Sequence, residues 1–340
     1  MLEKHRKMSS NTYQQIALVL LILCVVSPIE SRYEKERKPD KTIGVQPQQQ
    51  QHQPTQQQTS QQLLVSQTSI NLCRKSPDRK LVCHCSPDDE NIKAQKAECW
   101  IFSADMTRKD PNWLAFNTQT QLQHLKFAVL GGGNLSYIPS DIIQTLKYLR
   151  TINIEYGQIH ELFSFAFGNL TQLINISVSN SQVKIIGPYT FANHPHLHEI
   201  NLEKNEIYEL DRLSFINLPN LNRLNFEHNR LEVIQDDTFE MLSKLSELLF
   251  RNNSINILTR EIFKGLGNLK VLNLSLNKLN AIADTVFAEL WSLMELELDN
   301  NQIEVSFYFF LIKLLCNNHF QLAYSLPSLL TTTYLINFSN

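Results

Sequence analysis

From Leu125 to Ile303 apolar and polar positions follow one fixed spacing: a Leu, two residues, an apolar residue, one residue, an apolar residue, two residues, a small polar residue, one residue, an apolar residue. The spacing opens at Leu125, Leu149, Leu173, Leu197, Leu221, Leu245, Leu269 and Leu293, a period of 24 residues without a slip. Leu197, Ile200, Leu202, Asn205, Ile207, Leu210 and Phe215 form the type unit. Two apolar residues separated by one polar residue, as Ile200 and Leu202 are, predict a short strand with one buried face. After the strand, Asn205, Asn229, Asn253, Asn277 and Asn301 share one position. An amide there can donate to and accept from backbone groups that the turn leaves unpaired, which predicts a ladder through neighbouring coils. Eighteen residues after the opening Leu stands Phe167, Phe191, Phe215, Phe239, Phe263 or Phe287, which predicts an aromatic column in the convex half of the core.

This spacing is that of the leucine-rich repeat. A single coil cannot bury its apolar face alone, and the eight coils exceed the three or so that stacking requires. The predicted fold class is an α/β solenoid, a leucine-rich-repeat horseshoe with a parallel sheet on its concave side and a disulfide-bonded N-terminal cap. The remaining segments fall around it: a leader (1–31), a linker (32–69), the cap (70–124), the repeats (125–303) and an irregular apolar tail (304–340). The leader carries Lys4, Arg6 and Lys7 before an apolar run from Ile16 to Val26, then Ser27, Pro28 and Ser31, the layout of a secretory signal peptide. That run falls short of the roughly 20 residues needed to span a bilayer. The linker passes from charged residues into a glutamine-rich tract, Gln46 to Gln62, with too little apolar content to fold. The chain is therefore expected outside the cell, secreted or at the cell surface.

Charge changes this picture little. The formal net charge is −2, and no basic excess points to nucleic acid. The cysteines matter more. Cys73, Cys83, Cys85 and Cys99 cluster ahead of the first coil, apart from Cys24 in the leader and Cys316 in the tail. In an oxidising compartment that even count implies two disulfides sealing the exposed end of the core. The competing reading is zinc held by these cysteines with His84, but the spacing is not that of a finger and exported thiols are normally oxidised. Trp100, Ile101, Phe102, Trp113 and Phe116 are expected to cover the first coil, with a turn at Asp110-Pro111. Gly131, Gly132 and Gly133 in the first coil mark either a close approach by a partner or, the favoured reading, a loosened turn beside the cap.

Strand residues between the apolar positions project from the concave sheet. Their charged members, the candidate partner-binding set, are Glu155, Glu199, Glu203, Arg223, Glu227, Glu247, Arg251, Glu295, Glu297 and Asp299. Asn153, Asn175, Asn201, Asn225, Asn273, Ser177, Ser179 and Ser275 complete a polar face. Such a face suits a protein partner selected by charge pattern. Glycosylation sequons stand at Asn134, Asn169, Asn175, Asn252, Asn273 and Asn337, two of them (Asn175 and Asn273) on the face itself. No catalytic constellation is present, and no cofactor, metal or small-molecule substrate is expected: there is no phosphate loop, nucleophile elbow or zinc-protease helix. His194, His196 and His198 alternate in what reads as an exposed turn, without a carboxylate partner.

After Ile303 the spacing fails, and Phe307 to Leu315 is apolar but for Lys313. Truncation with a non-native tail is the favoured reading, ahead of an irregular apolar cap and of a lipid-anchor signal, whose spacer pattern is poorly matched.

Cys83-His84-Cys85, Glu98-Cys99-Trp100-Ile101, Asp110-Pro111 with Trp113, and Ile159-His160-Glu161-Leu162 leading to Ala166-Phe167 resemble the insect cell-surface leucine-rich-repeat adhesion proteins of the connectin type. The resemblance covers about Cys73 to Ile303. The cysteines resemble those of extracellular leucine-rich-repeat caps, which implies the pairs Cys73–Cys85 and Cys83–Cys99. The family implies cell adhesion, including binding between identical molecules, with attachment to the membrane by a glycolipid anchor. The C-terminal tail departs from that pattern. The alternative function is a secreted ligand-binding or signalling-modulator protein without an adhesive role.

Overall fold

A computed structural model describes residues 71–74, 79–87, 93–283 and 285–303, with the backbone of two further strands, Gln321–Leu322 and Leu335–Ser339. The expectations for the leader, the linker and most of the tail lie outside these residues. The described part belongs to one compact unit, Ser69–Asn340, built as a parallel solenoid.

The cap contributes β1 (Leu81–Ser86) and β2 (Lys96–Ile101), which pair antiparallel with Cys83 opposite Cys99. From β2 onward the main sheet is parallel through β3 (His124–Val129), β4 (Thr151–Glu155), β6 (Asn175–Ser179), β8 (Glu199–Asn201), β10 (Arg223–Asn225), β11 (Glu247–Leu249), β12 (Val271–Asn273) and β13 (Glu295–Glu297). Register follows the repeat, so Ile176, Ile200, Leu224, Leu248, Leu272 and Leu296 lie side by side. All six are fully buried. On the opposite side β5 (Glu161–Leu162), β7 (Ile185–Ile186) and β9 (Glu209–Leu210) form a second, three-stranded parallel sheet. Among the described residues the helical share of the α/β class is small: one α-helical turn, Ser140–Ile143, and the 3-10 helices Pro111–Thr118 and Arg260–Phe263. Past the repeats, β15 (Leu335–Ser339) pairs antiparallel with β13, and β14 (Gln321–Leu322) with β15.

The predicted aromatic column is present. Phe167 stacks on Phe191 and Phe191 on Phe215, with centroids 5.5 and 5.6 Å apart, and Phe239 and Phe287 continue the column against Phe215 and Phe263. A second pair, Phe226 and Phe250, stacks at 5.5 Å nearer the main sheet. The asparagine ladder is present as well. Asn229 donates through Nδ2 to the carbonyls of Leu202 (2.9 Å) in the preceding coil and Phe226 (3.0 Å) in its own, while its Oδ1 accepts from Ile207 N–H at 3.0 Å. Asn205, Asn253, Asn277 and Asn301 repeat these bonds. Where the ladder Asn is missing, Ser181 accepts from Gly157 N–H at 3.1 Å through its hydroxyl.

In the cap the disulfides are Cys73–Cys85 and Cys83–Cys99, the pairs that the resemblance implied. All four thiols are thereby consumed, which removes the sulfur ligands of the zinc reading. Asp110, buried, caps the 3-10 helix by accepting from Asn112 N–H at 2.9 Å and pairs with Lys80 at 3.1 Å. Trp113 packs on Phe116, Phe127 and Tyr137, and its indole N–H donates to the Thr107 carbonyl and the Tyr137 hydroxyl, both at 3.0 Å. Ile101, Trp113 and Phe116 thus cover the first coil as expected. Phe102 does not, being 48 % exposed just past the end of β2, and Trp100 stands on the outward side of that strand. The glycine run is explained by the cap itself: a Cβ on Gly133 would lie 2.3 Å from the Ile101 carbonyl oxygen. The close neighbour is thus the chain's own backbone.

Two substitutions test this framework by chemical denaturation. Asn253→Ala strands buried backbone groups in two coils and should cost about 3 kcal/mol. Gly133→Ala must push apart cap and first coil, with an expected loss of about 2 kcal/mol.

Candidate protein-binding face

Parallel strands in register place residues 24 apart in straight columns across the main sheet, about 4.8 Å from one to the next. The first column runs Thr151, Asn175, Glu199, Arg223, Glu247, Val271, Glu295. Arg223 sits between two carboxylates, with Nε 3.5 Å from Glu199 and its guanidinium also bonded to Glu247. Asn175 donates to Glu199 from the other side at 3.2 Å. At such a half-exposed site these pairs add little stability. They hold long side chains in fixed places.

The next column behaves differently. Asn201, Asn225 and Asn273 accept, through Oδ1, the N–H two residues on, at 3.1, 2.8 and 3.0 Å, and so close the ends of their strands. Asn225 and Asn273 are buried in doing so, as are Ser179 and Ser275 at the strand ends, so these four offer less to a partner than alternation alone implies. In the last coil Glu297 accepts from Asn273 Nδ2 at 2.7 Å. Burial, then the adjacent Glu295 and Asp299, push its carboxyl above the usual carboxylate range.

Of the ten charged positions read from the sequence, nine are half-exposed on this face, with Lys126 paired to Glu155 (2.8 Å) and Arg251 bonded to Ser275 (2.9 Å). Asp299 is the exception. It is 8 % exposed and accepts from Asn300, because the turn after β13 folds over it. Sequence reasoning missed the start of the face, where Lys96, Glu98, His124, Lys126, Thr151 and Asn153 line an open depression of about 410 Å³. Its ion pair, Lys96–Glu98 at 2.8 Å, holds the Glu98 carboxyl below its usual range. Alternation within β2 and β3 was the available signal, hidden because the cap does not share the 24-residue spacing.

Comparison with known proteins follows from this architecture. A family profile described as BspA type leucine rich repeat region matches residues 114–246, and one described as leucine rich repeat matches 243–303. The chain is a leucine-rich-repeat protein. It resembles connectin of Drosophila melanogaster, with 40 % identity over 126 residues, which is 37 % of this chain and 18 % of connectin. The matched stretch thus spans under a fifth of that relative. Similar solved structures include human trophoblast glycoprotein (23 % identity, 65 % of this chain and 80 % of that one, TM-score 0.47). Another is the Drosophila Toll–Spatzle complex (22 % identity, 57 % of this chain and 32 % of that one, TM-score 0.43).

Within the leucine-rich-repeat stack the sequons separate by environment. Asn169 and Asn252 are exposed, Asn134 and Asn175 half-buried, and Asn273 buried with its amide committed to Glu297 and Ser275. Asn337 lies in β15, where only backbone is described. The histidines also separate. His196 and His198 are exposed, but His194 is 1 % exposed, which corrects the expectation of a solvated turn. It occupies the core column of Leu146, Leu170, Leu218, Leu242, Leu266 and Leu290, a correspondence visible only when the chain is written out in 24-residue lines. Among the described residues no group of three or more His, Cys, Asp and Glu is placed to hold a metal, and no helix is long and apolar enough to cross a membrane.

The raised carboxyl of Glu297 carries a pH prediction. The folded state binds its proton more tightly than the unfolded state, so the wild type loses stability as pH rises through the folded-state value. Glu297→Gln keeps the acceptor for Asn273 and should gain about 0.5 kcal/mol at pH 7, given the partial exposure of the site. The gain should vanish toward pH 4 in thermal unfolding.

Proposed function

We propose that this chain is an extracellular recognition protein that binds a protein partner through its main sheet face, and that its role is cell–cell adhesion, including binding between identical copies. The observation that carries the reading is the row of half-exposed charges on a rigid sheet, Glu199, Arg223 and Glu247 in one column, each held by its neighbours. A preorganised pattern of alternating charge selects a partner by complementarity, and binding orders few side chains further. The two cap disulfides support an oxidising, extracellular setting. Similarity to connectin over 126 residues supports the adhesive part. Leucine-rich-repeat solenoids typically bind proteins and are not typically enzymes, which supports a non-catalytic role.

Glycans fit this reading at Asn169 and Asn252, the exposed sequons. A glycan on Asn273 would require breaking its bonds to Glu297 and Ser275, so that part of the face stays bare.

The test is aggregation of beads carrying the secreted chain. Aggregation that soluble protein competes away, and that Arg223→Glu weakens at least tenfold, is the expected result. Well-folded, disulfide-bonded protein that leaves beads dispersed would remove binding between identical copies. The search would then move to a heterologous partner, screened with the same variant.

A further inference from the structure

His194 is the one polar residue in a core column otherwise made of leucine, from Leu146 to Leu290. Its Nδ1 lies 3.2 Å from the Leu170 carbonyl oxygen. A carbonyl only accepts, so Nδ1 carries the hydrogen and the neutral ring presents a bare lone pair at Nε2. That atom is buried without a hydrogen-bond partner. A proton added there would create a second N–H and a full charge in an apolar layer that offers neither an acceptor nor a counter-ion.

The surroundings supply no compensation. Three turns meet at this layer: residues 167–174 of the preceding coil, 191–198 of its own, and 215–222 of the next. None contains Asp, Glu, Lys or Arg. The other titratable groups in these turns are His196 and His198, both exposed, with His198 Nδ1 2.7 Å from the His196 carbonyl oxygen. Burial accordingly lowers the tendency of His194 to take a proton, opposed only by its bond to Leu170. The turn also carries structure across the seam. Leu197 N–H donates to the His194 carbonyl at 3.2 Å and His198 N–H to the Ile174 carbonyl at 2.8 Å.

We propose that the turn around His194 is an acid-sensitive joint in the solenoid: acidification protonates the imidazole, expels it from the leucine column and opens the seam between the coils that begin at Leu173 and Leu197. The sign follows from linkage. The folded state disfavours the proton, whereas the unfolded or opened chain accepts it near the ordinary histidine value of about 6.5. Stability at this site is therefore complete above that pH and is lost as pH falls below it. One proton makes the opening constant rise by up to about tenfold per pH unit. The columns of the binding face run across the same seam through Asn175 and Glu199, which are hydrogen-bonded to each other. An opened joint would break up the face in an acidified compartment and leave it whole at neutral pH.

The experiment compares the full chain with His194→Leu, which restores the column, by thermal unfolding from pH 7.5 to 5.0 and by hydrogen exchange corrected for intrinsic rates. The difference in unfolding midpoint should widen as pH falls. Protection of amides in 170–174 and 191–198 should drop at pH 5.5 in the wild type and hold in the variant, while coils six and seven keep theirs in both. His194→Gln, which retains a donor for Leu170 but does not titrate, should behave like the Leu variant, and His196→Asn like the wild type. A midpoint difference constant with pH, or protection lost evenly along the repeats, overturns the proposal.

Discussion

Every coil of this molecule leaves backbone N–H and C=O groups facing the interior at the turn that follows its strand, and no water reaches them there. Unsatisfied, each would cost about 1–3 kcal/mol, enough to cancel the gain from burying an apolar side chain. The ladder asparagines meet this demand with one side chain per coil, which both donates and accepts. Ser181 does part of the same work through a hydroxyl, and Gly157 leaves its N–H to be taken by Ser181. The leucine and phenylalanine columns close around turns already satisfied in this way. A short unit can therefore be repeated without a helix on its far side.

The same in-register stacking determines what the sheet face can present. Each residue stands beside the ones 24 positions away, so its setting is fixed by the coils on either side. Glu199, Arg223 and Glu247 alternate in sign and bind one another. Glu295, Glu297 and Asp299 share one coil, and the middle carboxyl is strained electrostatically as a result. Asn225 and Asn273, polar and outward in direction, are spent on closing their own strands. Recognition thus rests on the charged columns that remain half-exposed.

Much of this was legible beforehand, because a period of 24 residues states both the fold and the neighbour of every side chain. The strand faces, the amide ladder, the phenylalanine column and nine of the ten charged positions follow from spacing alone. What escaped notice breaks the period or uses it in an unexpected chemical role. The cap strands carry Lys96 and His124 onto the face by antiparallel and parallel pairing that no repeat announces. The three-stranded sheet on the opposite side rests on two-residue strands such as Ile185–Ile186, too short to show alternation. His194 read as a turn residue because its polarity outweighed its column. Gly133 owes its identity to a carbonyl of Ile101, 32 residues earlier, and such an approach leaves no mark in local sequence.

The ladder bonds also have a direction. Asn229 serves Leu202 and Ile207 of the coil before it, and Asn253, Asn277 and Asn301 each reach back in the same way. Each coil is therefore finished by its successor. Removing a coil from the far end orphans buried backbone in the one that remains, whereas removing one from the near end frees only an amide that water can solvate. Fraying in such an array is vectorial, and the cross-linked cap stands at the end where the ladder demands least.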